Sequence, residues 1–171
     1  MIGDFVVIDT ETTGFAPTTC DVIEFGFLIV EDWSVKAKGS IFIDHGVRIP
    51  YRITQITGIT EKEIIRSGKD PLTAIDYIKN SIIKNKLIVG HNISFDMGFL
   101  NAMFGKYGGE SLTNRTECTL KIARRKIPKS RIMDHKLTTI ADYFGIETPN
   151  AHRALGDCLT TFEVYKRLLE I

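Results

Sequence analysis

Three apolar, β-branched runs crowd the first third of the chain, and helical periodicity takes over after them. No other feature limits the fold as strongly. Phe5 to Ile8 is a short run, Val22 to Val30 a longer one, and Ser40 to Ile43 a third, after a turn expected at Glu31-Asp32. Strands so closely spaced predict an antiparallel meander. Further on, Thr60 and Glu63 stand at capping-box spacing ahead of Ile64 and Ile65. Pro71 suits a first helical turn, and Leu72, Ile75, Ile78 and Ile82 continue at steps of three and four. Leu87 to Val89 reads as a short buried strand. Phe95, Phe99, Leu100, Met103, Phe104 and Tyr107 mark a helix that ends at Gly108-Gly109, and Leu137, Ile140, Ala141 and Phe144 mark another, stopped by Gly145. The last helix runs from near Arg153 to Leu169, with Leu155, Cys158, Leu159, Phe162, Tyr165 and Leu169 on its apolar face. Strands followed by alternating helix and strand predict a mixed sheet flanked by helices, an α/β domain.

No linker or repeat divides the 171 residues, so residues 1–171 are expected to form one domain. Lys plus Arg number 22 against 21 Asp plus Glu, a balance that excludes a coating protein whose whole surface must neutralise phosphate. The balance hides one basic segment: residues 115–136 hold 8 basic and 2 acidic side chains. Three widely spaced cysteines fit neither a disulfide framework nor a zinc knuckle, and predict reduced thiols in the cytoplasm. Neither a secretory leader nor an apolar run of membrane-spanning length is visible, so no membrane association is expected.

Carboxylates supply the chemistry. Asp9 and Glu11, in Asp9-Thr10-Glu11-Thr12-Thr13-Gly14, directly follow the first strand run. Residues i and i+2 of an extended chain share a face, ~6.6 Å apart along it, so the two acids repel unless a cation lies between them. An acidic turn with Thr12 or Thr13 as a helix cap is the plain alternative. Asp96 lies at the start of the Phe95–Tyr107 helix, where the macrodipole alone would account for an acid. Asp157 sits between Leu155 and Leu159, where an unpaired charge is costly unless it faces solvent. His152 shares a face with it only from the preceding loop or first turn. Four acids and a histidine thus fall at the ends of three elements, and all-oxygen ligation suits Mg²⁺ or Mn²⁺.

In order along nearly the whole chain, these motifs resemble the DnaQ-type (DEDDh) 3′→5′ exonucleases, a family that includes proofreading epsilon subunits of bacterial DNA polymerase III. D-T-E-T-T-G at Asp9–Gly14, H-N-I-S-F-D-M-G-F-L at His91–Leu100 and H-R-A-L-G-D at His152–Asp157 carry the likeness. I-T-G-I-T at Ile56–Thr60 and C-T-L-K-I-A-R-R at Cys118–Arg125 agree with it. The resemblance implies an RNase H-like fold, a five-stranded mixed sheet with helices on both faces, its fifth strand short and near Asn114–Thr119. It also implies release of nucleoside monophosphates from single-stranded DNA 3′ ends with two Mg²⁺ (or Mn²⁺) ions, as in proofreading. Asp9, Glu11 and Asp157 would hold the catalytic metal, Asp9 bridging to a second ion that Asp96 supports partly through water. His152 would be the general base, a task that suits an imidazole.

The terminal nucleotide would sit beside the Thr12–Gly14 backbone, with Ile56 and Thr57 near base or sugar and Phe95 packing nearby. Ordinary core packing is the alternative for Ile56 and Phe95. His91 and Asn92 would orient the loop bearing Asp96. Arg124, Arg125 and Lys129 would track the incoming strand's phosphates, unless they only solvate a helix face and loop. RNA 3′-end trimming, or a non-catalytic nucleic-acid-binding or polymerase-docking module, are the other readings. The chain ends directly after its last helix, without the extension by which epsilon-type members dock onto a polymerase catalytic subunit. A stand-alone nuclease, a phage or accessory protein and a domain of a larger polymerase therefore all remain open, and the oligomeric state is undetermined.

Overall fold

The computed structural model describes residues 4–148 and 152–171. Its first three strands form the expected meander: β1 (Asp4–Thr12), β2 (Val22–Glu31) and β3 (Ser34–Phe42), each antiparallel to the last. Asp32 and Trp33, both at positive φ (47° and 60°), make the two-residue turn between β2 and β3, whose backbone twist suits a hairpin. β3 begins at Ser34, not Ser40, because its exposed Lys36 and Lys38 carry no apolar signal, although Lys38 pairs with Leu28 of β2 and Lys36 sits at a bulge opposite Ile29 and Val30. β1 also runs longer than its apolar run. The acidic motif lies within the strand, not after it.

Two short parallel strands complete the sheet, β4 (Leu87–Gly90) and β5 (Thr116–Cys118), in the order β3-β2-β1-β4-β5. Around it lie α1 (Tyr51–Thr57), α2 (Glu61–Ser67), α3 (Pro71–Asp76), α4 (Ser94–Lys106), α5 (Thr119–Lys126), α6 (Leu137–Tyr143) and α7 (Ala154–Glu170). The capping box of Thr60 and Glu63 opens α2 as its spacing predicts. α1 was not expected; it places Ile56 and Thr57 in its last turn. After α3 the helix widens into a π-type segment, Tyr77–Ile83, which brings Ile78, Ile82 and Ile83 all into the core. Leu72, expected on that face, is exposed, and Ala74 is buried instead.

Strand alternation assigns the two faces. Val6 and Ile8 of β1 join Phe25 and Phe27 of β2 in a core closed by α4 and the π-type segment. Phe5 and Val7 face the other way with Leu28 and Val30, against α5, α6 and α7. There the rings of Phe5, Trp33 and Tyr165 pack with centroids 5.3–5.7 Å apart. Removing the buried ring of Phe5 or Tyr165 costs ~3–5 kcal/mol, so this cluster anchors α7 to the sheet. α7 is buried on more than one side, so Val164 and Leu168 lie in the core as well as Cys158, Phe162 and Tyr165. Leu169, expected on the apolar face, is exposed. All three cysteines are free thiols. Among the described residues no helix is long and apolar enough to cross a membrane.

Candidate active site

The alternation that turns Phe5 and Val7 toward α7 carries on to Asp9 and Glu11. Both acids therefore emerge on the α7 side of the sheet, at the carboxyl end of its central strand. α7 delivers the third acid, Asp157, from its first turn. One carboxylate oxygen from each of Asp9, Glu11 and Asp157 lies within 4.8 Å of the others.

Asp96 arrives from the opposite side. β4 pairs with β1 from Phe5↔Leu87 to Val7↔Val89 and stops at Gly90, so the Thr10 amide lies beyond the last rung. Asp96 Oδ1, in the first turn of α4, accepts that amide at 3.0 Å and the Thr10 hydroxyl at 2.8 Å. A buried carboxylate thereby takes the place of a missing strand and stands next to Asp9.

So much negative charge is held against its own repulsion. Burial, then Asp96, Asp157 and Glu11, raise the Asp9 carboxyl well above the usual range. Burial and the Asp157 charge push Glu11 up to about 8. Burial lifts Asp96 to about 7 despite the Thr10 hydrogen bonds, and raises Asp157 against the opposing pull of His152. Among the described residues, none of the four forms an ion pair with a cationic side chain. A hard divalent cation fits this donor set: three convergent carboxylates, no sulfur or imidazole among the ligands, and a local excess of negative charge.

His152 lies in the turn before α7, exposed, with φ 66°. It shares with Asp157 the wall of a cleft of about 550 Å³, also lined by His91, Asn92, Arg124 and Lys136. His91 is locked into that wall. Its Nε2 donates to the His135 carbonyl (3.1 Å), which leaves Nδ1 to accept from the Thr119 hydroxyl (2.9 Å). Burial lowers His91 to about 4, so it is a neutral strut between β4, α5 and the basic loop.

The other expected contacts are scattered more widely. Thr12 is buried and its hydroxyl donates to the Gly14 carbonyl at 2.6 Å, which closes the turn after β1. The Thr57 hydroxyl donates to Ile53 O and accepts from Ile59 N, while Ile56 is 44% exposed. Phe95 packs on Phe99 at 4.8 Å. Of the basic residues, Arg124 lines the cleft with His152 and Asp157, and Lys129 lines a neighbouring depression that Arg124 also borders. Arg125 lines neither.

Two further residues shape the site: Glu24, which lies in none of the motifs, and Arg153, which stands within H-R-A-L-G-D but was assigned no role there. Glu24 of β2 is only 1% exposed and pairs with Arg153, at the N-cap of α7. An acid in the middle of the apolar run Val22–Val30 was the available signal, because a charge inside a buried strand requires a partner.

A central-strand acid cluster suited to hard cations, with a histidine on the wall of a cleft bordered by arginine and lysine, defines a metal-dependent phosphodiester hydrolase. Comparison with known proteins agrees. The exonuclease family RNase_T matches residues 6–165. DNA polymerase III subunit epsilon of Aquifex aeolicus is 34% identical over 98% of this chain and 81% of its own length. A PolC-type DNA polymerase III of Clostridium perfringens is 32% identical over 95% of this chain, which spans only 11% of that protein. Among solved structures, E. coli exonuclease I in complex with a dT13 oligonucleotide superposes with a TM-score of 0.84 at 20% identity, over 97% of this chain and 41% of that one. Exonuclease X in complex with 5′ overhanging duplex DNA gives 0.76 at 23% identity, over 97% and 91%. At these identities the structural likeness is one of fold, and the fold is RNase H-like. The chain belongs to the RNase_T exonuclease family, within its DnaQ-like, epsilon-related branch, and is a metal-dependent 3′→5′ exonuclease.

Proposed function

We propose that residues 1–171 act as one domain that removes nucleoside monophosphates from the 3′ end of single-stranded DNA, with two Mg²⁺ or Mn²⁺ ions, in the proofreading service of a DNA polymerase. The convergence of Asp9, Glu11 and Asp157 beside Asp96, with His152 on the adjoining cleft wall, carries this reading. DNA as substrate is supported by the names of the relatives, two of them DNA polymerase III components and two solved with DNA. The epsilon relative supports a polymerase partner.

Asp9, Glu11 and Asp157 would hold the catalytic ion, and Asp96 beside Asp9 would support a second. A bound divalent cation neutralises phosphate charge and acidifies a water. His152 removes a proton from the attacking water, and its place in an open turn lets that proton pass on to solvent. The terminal nucleotide lies against the Thr12–Gly14 turn, with Ile56 and Phe95 offering apolar surface and Thr57 bracing the end of α1. The remaining strand leaves through the cleft, where Arg124 and, further out, Lys129 meet its phosphates; Arg125 is the weakest member of that track.

Product analysis on matched labelled DNA and RNA strands, with and without a mismatched 3′ end, tests this reading. Mononucleotide release from DNA that needs Mg²⁺ or Mn²⁺ and disappears in folded Asp9→Ala and Asp157→Ala variants is the expected result. Faster release from RNA would make the protein a 3′-trimming ribonuclease, and binding without any cleavage a docking module.

A further inference from the structure

β1 presents Asp9 and Glu11 at fixed register, but Asp157 and His152 reach the same site only if the first turn of α7 is held against the sheet. The rungs that carry the two acids show what holds it. Asp9 lies opposite Gly26 and Glu11 opposite Glu24 on β2, so all four positions share the α7 face. A Cβ on Gly26 would lie 2.5 Å from the Ala154 carbonyl carbon, which means that the helix start rests directly on the strand. The Glu24 carboxylate takes three hydrogen bonds from that start: Arg153 Nε and Nη2 at 3.1 Å each, and the Ala154 amide at 3.2 Å. Arg153 also lies 5.4 Å from the ring of Phe42, the β3 neighbour of Glu24. The Arg153 carbonyl in turn accepts the amide of Asp157 at 3.0 Å, and His152 is the preceding residue.

We propose that Glu24 and Arg153 form a positioning clamp that sets Asp157 and His152 against Asp9 and Glu11, an inference that rests on the exonuclease reading above. Glu24 is then no ligand, although it neighbours the ligands. Its charge is spent on a two-pronged guanidinium pair, and that fork fixes orientation where a point charge would not. The clamp also prevents Arg153 from turning into the acid cluster and occupying it as a cation.

The test uses Arg153→Lys, Glu24→Gln and the neutral double variant Glu24→Gln/Arg153→Gln, the last because it leaves no unpaired charge if a single variant fails to fold. Two readouts are made: Mn²⁺ binding to the nucleic-acid-free protein, followed by the electron paramagnetic resonance of the free ion, and kcat and KM on a single-stranded DNA oligonucleotide. Expected are Mn²⁺ affinity weakened by about 10–100-fold, kcat lowered by about 10–100-fold, and KM unchanged, in folded Arg153→Lys and in the double variant. Parent-like kcat and Mn²⁺ affinity in those variants, even with a lowered melting temperature, would reduce the pair to a stabilising contact and overturn the clamp. Mn²⁺ binding lost in Glu24→Gln but kept in Arg153→Lys would make Glu24 a ligand and overturn it equally. A parent that leaves DNA uncut would sink the substrate reading instead, and the Mn²⁺ titration would still judge the clamp.

Discussion

Replacing Glu11 with Gln should make the metal-free protein more stable while it abolishes activity. Burial and the Asp157 charge raise Glu11 from 4.5 to about 8. Between those values the folded state keeps a proton that the unfolded chain has already lost, so stability falls as pH rises through the window, and above it the whole penalty is present. One pK unit is worth ~1.4 kcal/mol, which bounds the penalty at ~5 kcal/mol. Glu11 is partly open to solvent, and screening brings the figure to roughly 1–3 kcal/mol. For a chain of this size 1 kcal/mol moves the melting temperature by ~2–4 °C. In EDTA at about pH 8, Glu11→Gln should therefore melt roughly 2–12 °C above the parent, and at about pH 4 the two should converge. Saturating Mg²⁺ or Mn²⁺ should reverse the order, because an ion at a hundred times its Kd stabilises the parent by ~2.7 kcal/mol and the Gln variant lacks one ligand. Differential scanning calorimetry of both proteins in these buffers is the assay. A Gln variant that melts at or below the parent in EDTA would refute the mutual repulsion, and a parent indifferent to divalent ions would refute the cation site.

Three other outcomes are expected. His152→Ala should lower kcat by roughly 10²–10⁴-fold in single-turnover cleavage with strand binding retained, and an unchanged rate would contradict its role as base. Gly26→Ala should destabilise the protein by ~1–3 kcal/mol in urea unfolding and lower kcat, because its Cβ displaces the start of α7; full activity would show that the helix is seated by other contacts. Arg124→Ala should reduce the slope of log affinity against log salt by about 1, while Arg125→Ala should leave it unchanged. Equal effects from both would remove the cleft as the strand's path.

Much of the fold was legible because its signals are local. The capping box at Thr60, the glycine at Gly145 and the apolar β-branched run Phe5–Ile8 of β1 each lie within a few residues, where backbone sterics and nearby hydrogen bonds decide the conformation. The start of β3 and all of α1 were not legible. Exposed Lys36 and Lys38 are strand residues only because β2 lies beside them, and α1 is a short helix with few buried residues to set its period. The face of α7 was misread at Leu168 and Leu169, because a helix packed both on a sheet and on other helices has no single apolar stripe.

The site divides in the same way. Sequence alone determined that Asp9 and Glu11 share a face, since extended chain alternates, and that Asp96 and Asp157 begin helices. It also supplied the order of motifs that marks the family. Tertiary structure decided that the acids meet. Thr10 and Asp96 are 86 residues apart and touch because β4 ends before it reaches Thr10; Arg153 and Glu24 are 129 apart and touch because Gly26 lets a helix rest on a strand. Such contacts depend on where strands end and how closely layers approach, quantities that the packing of the whole core sets and that no short stretch of residues encodes.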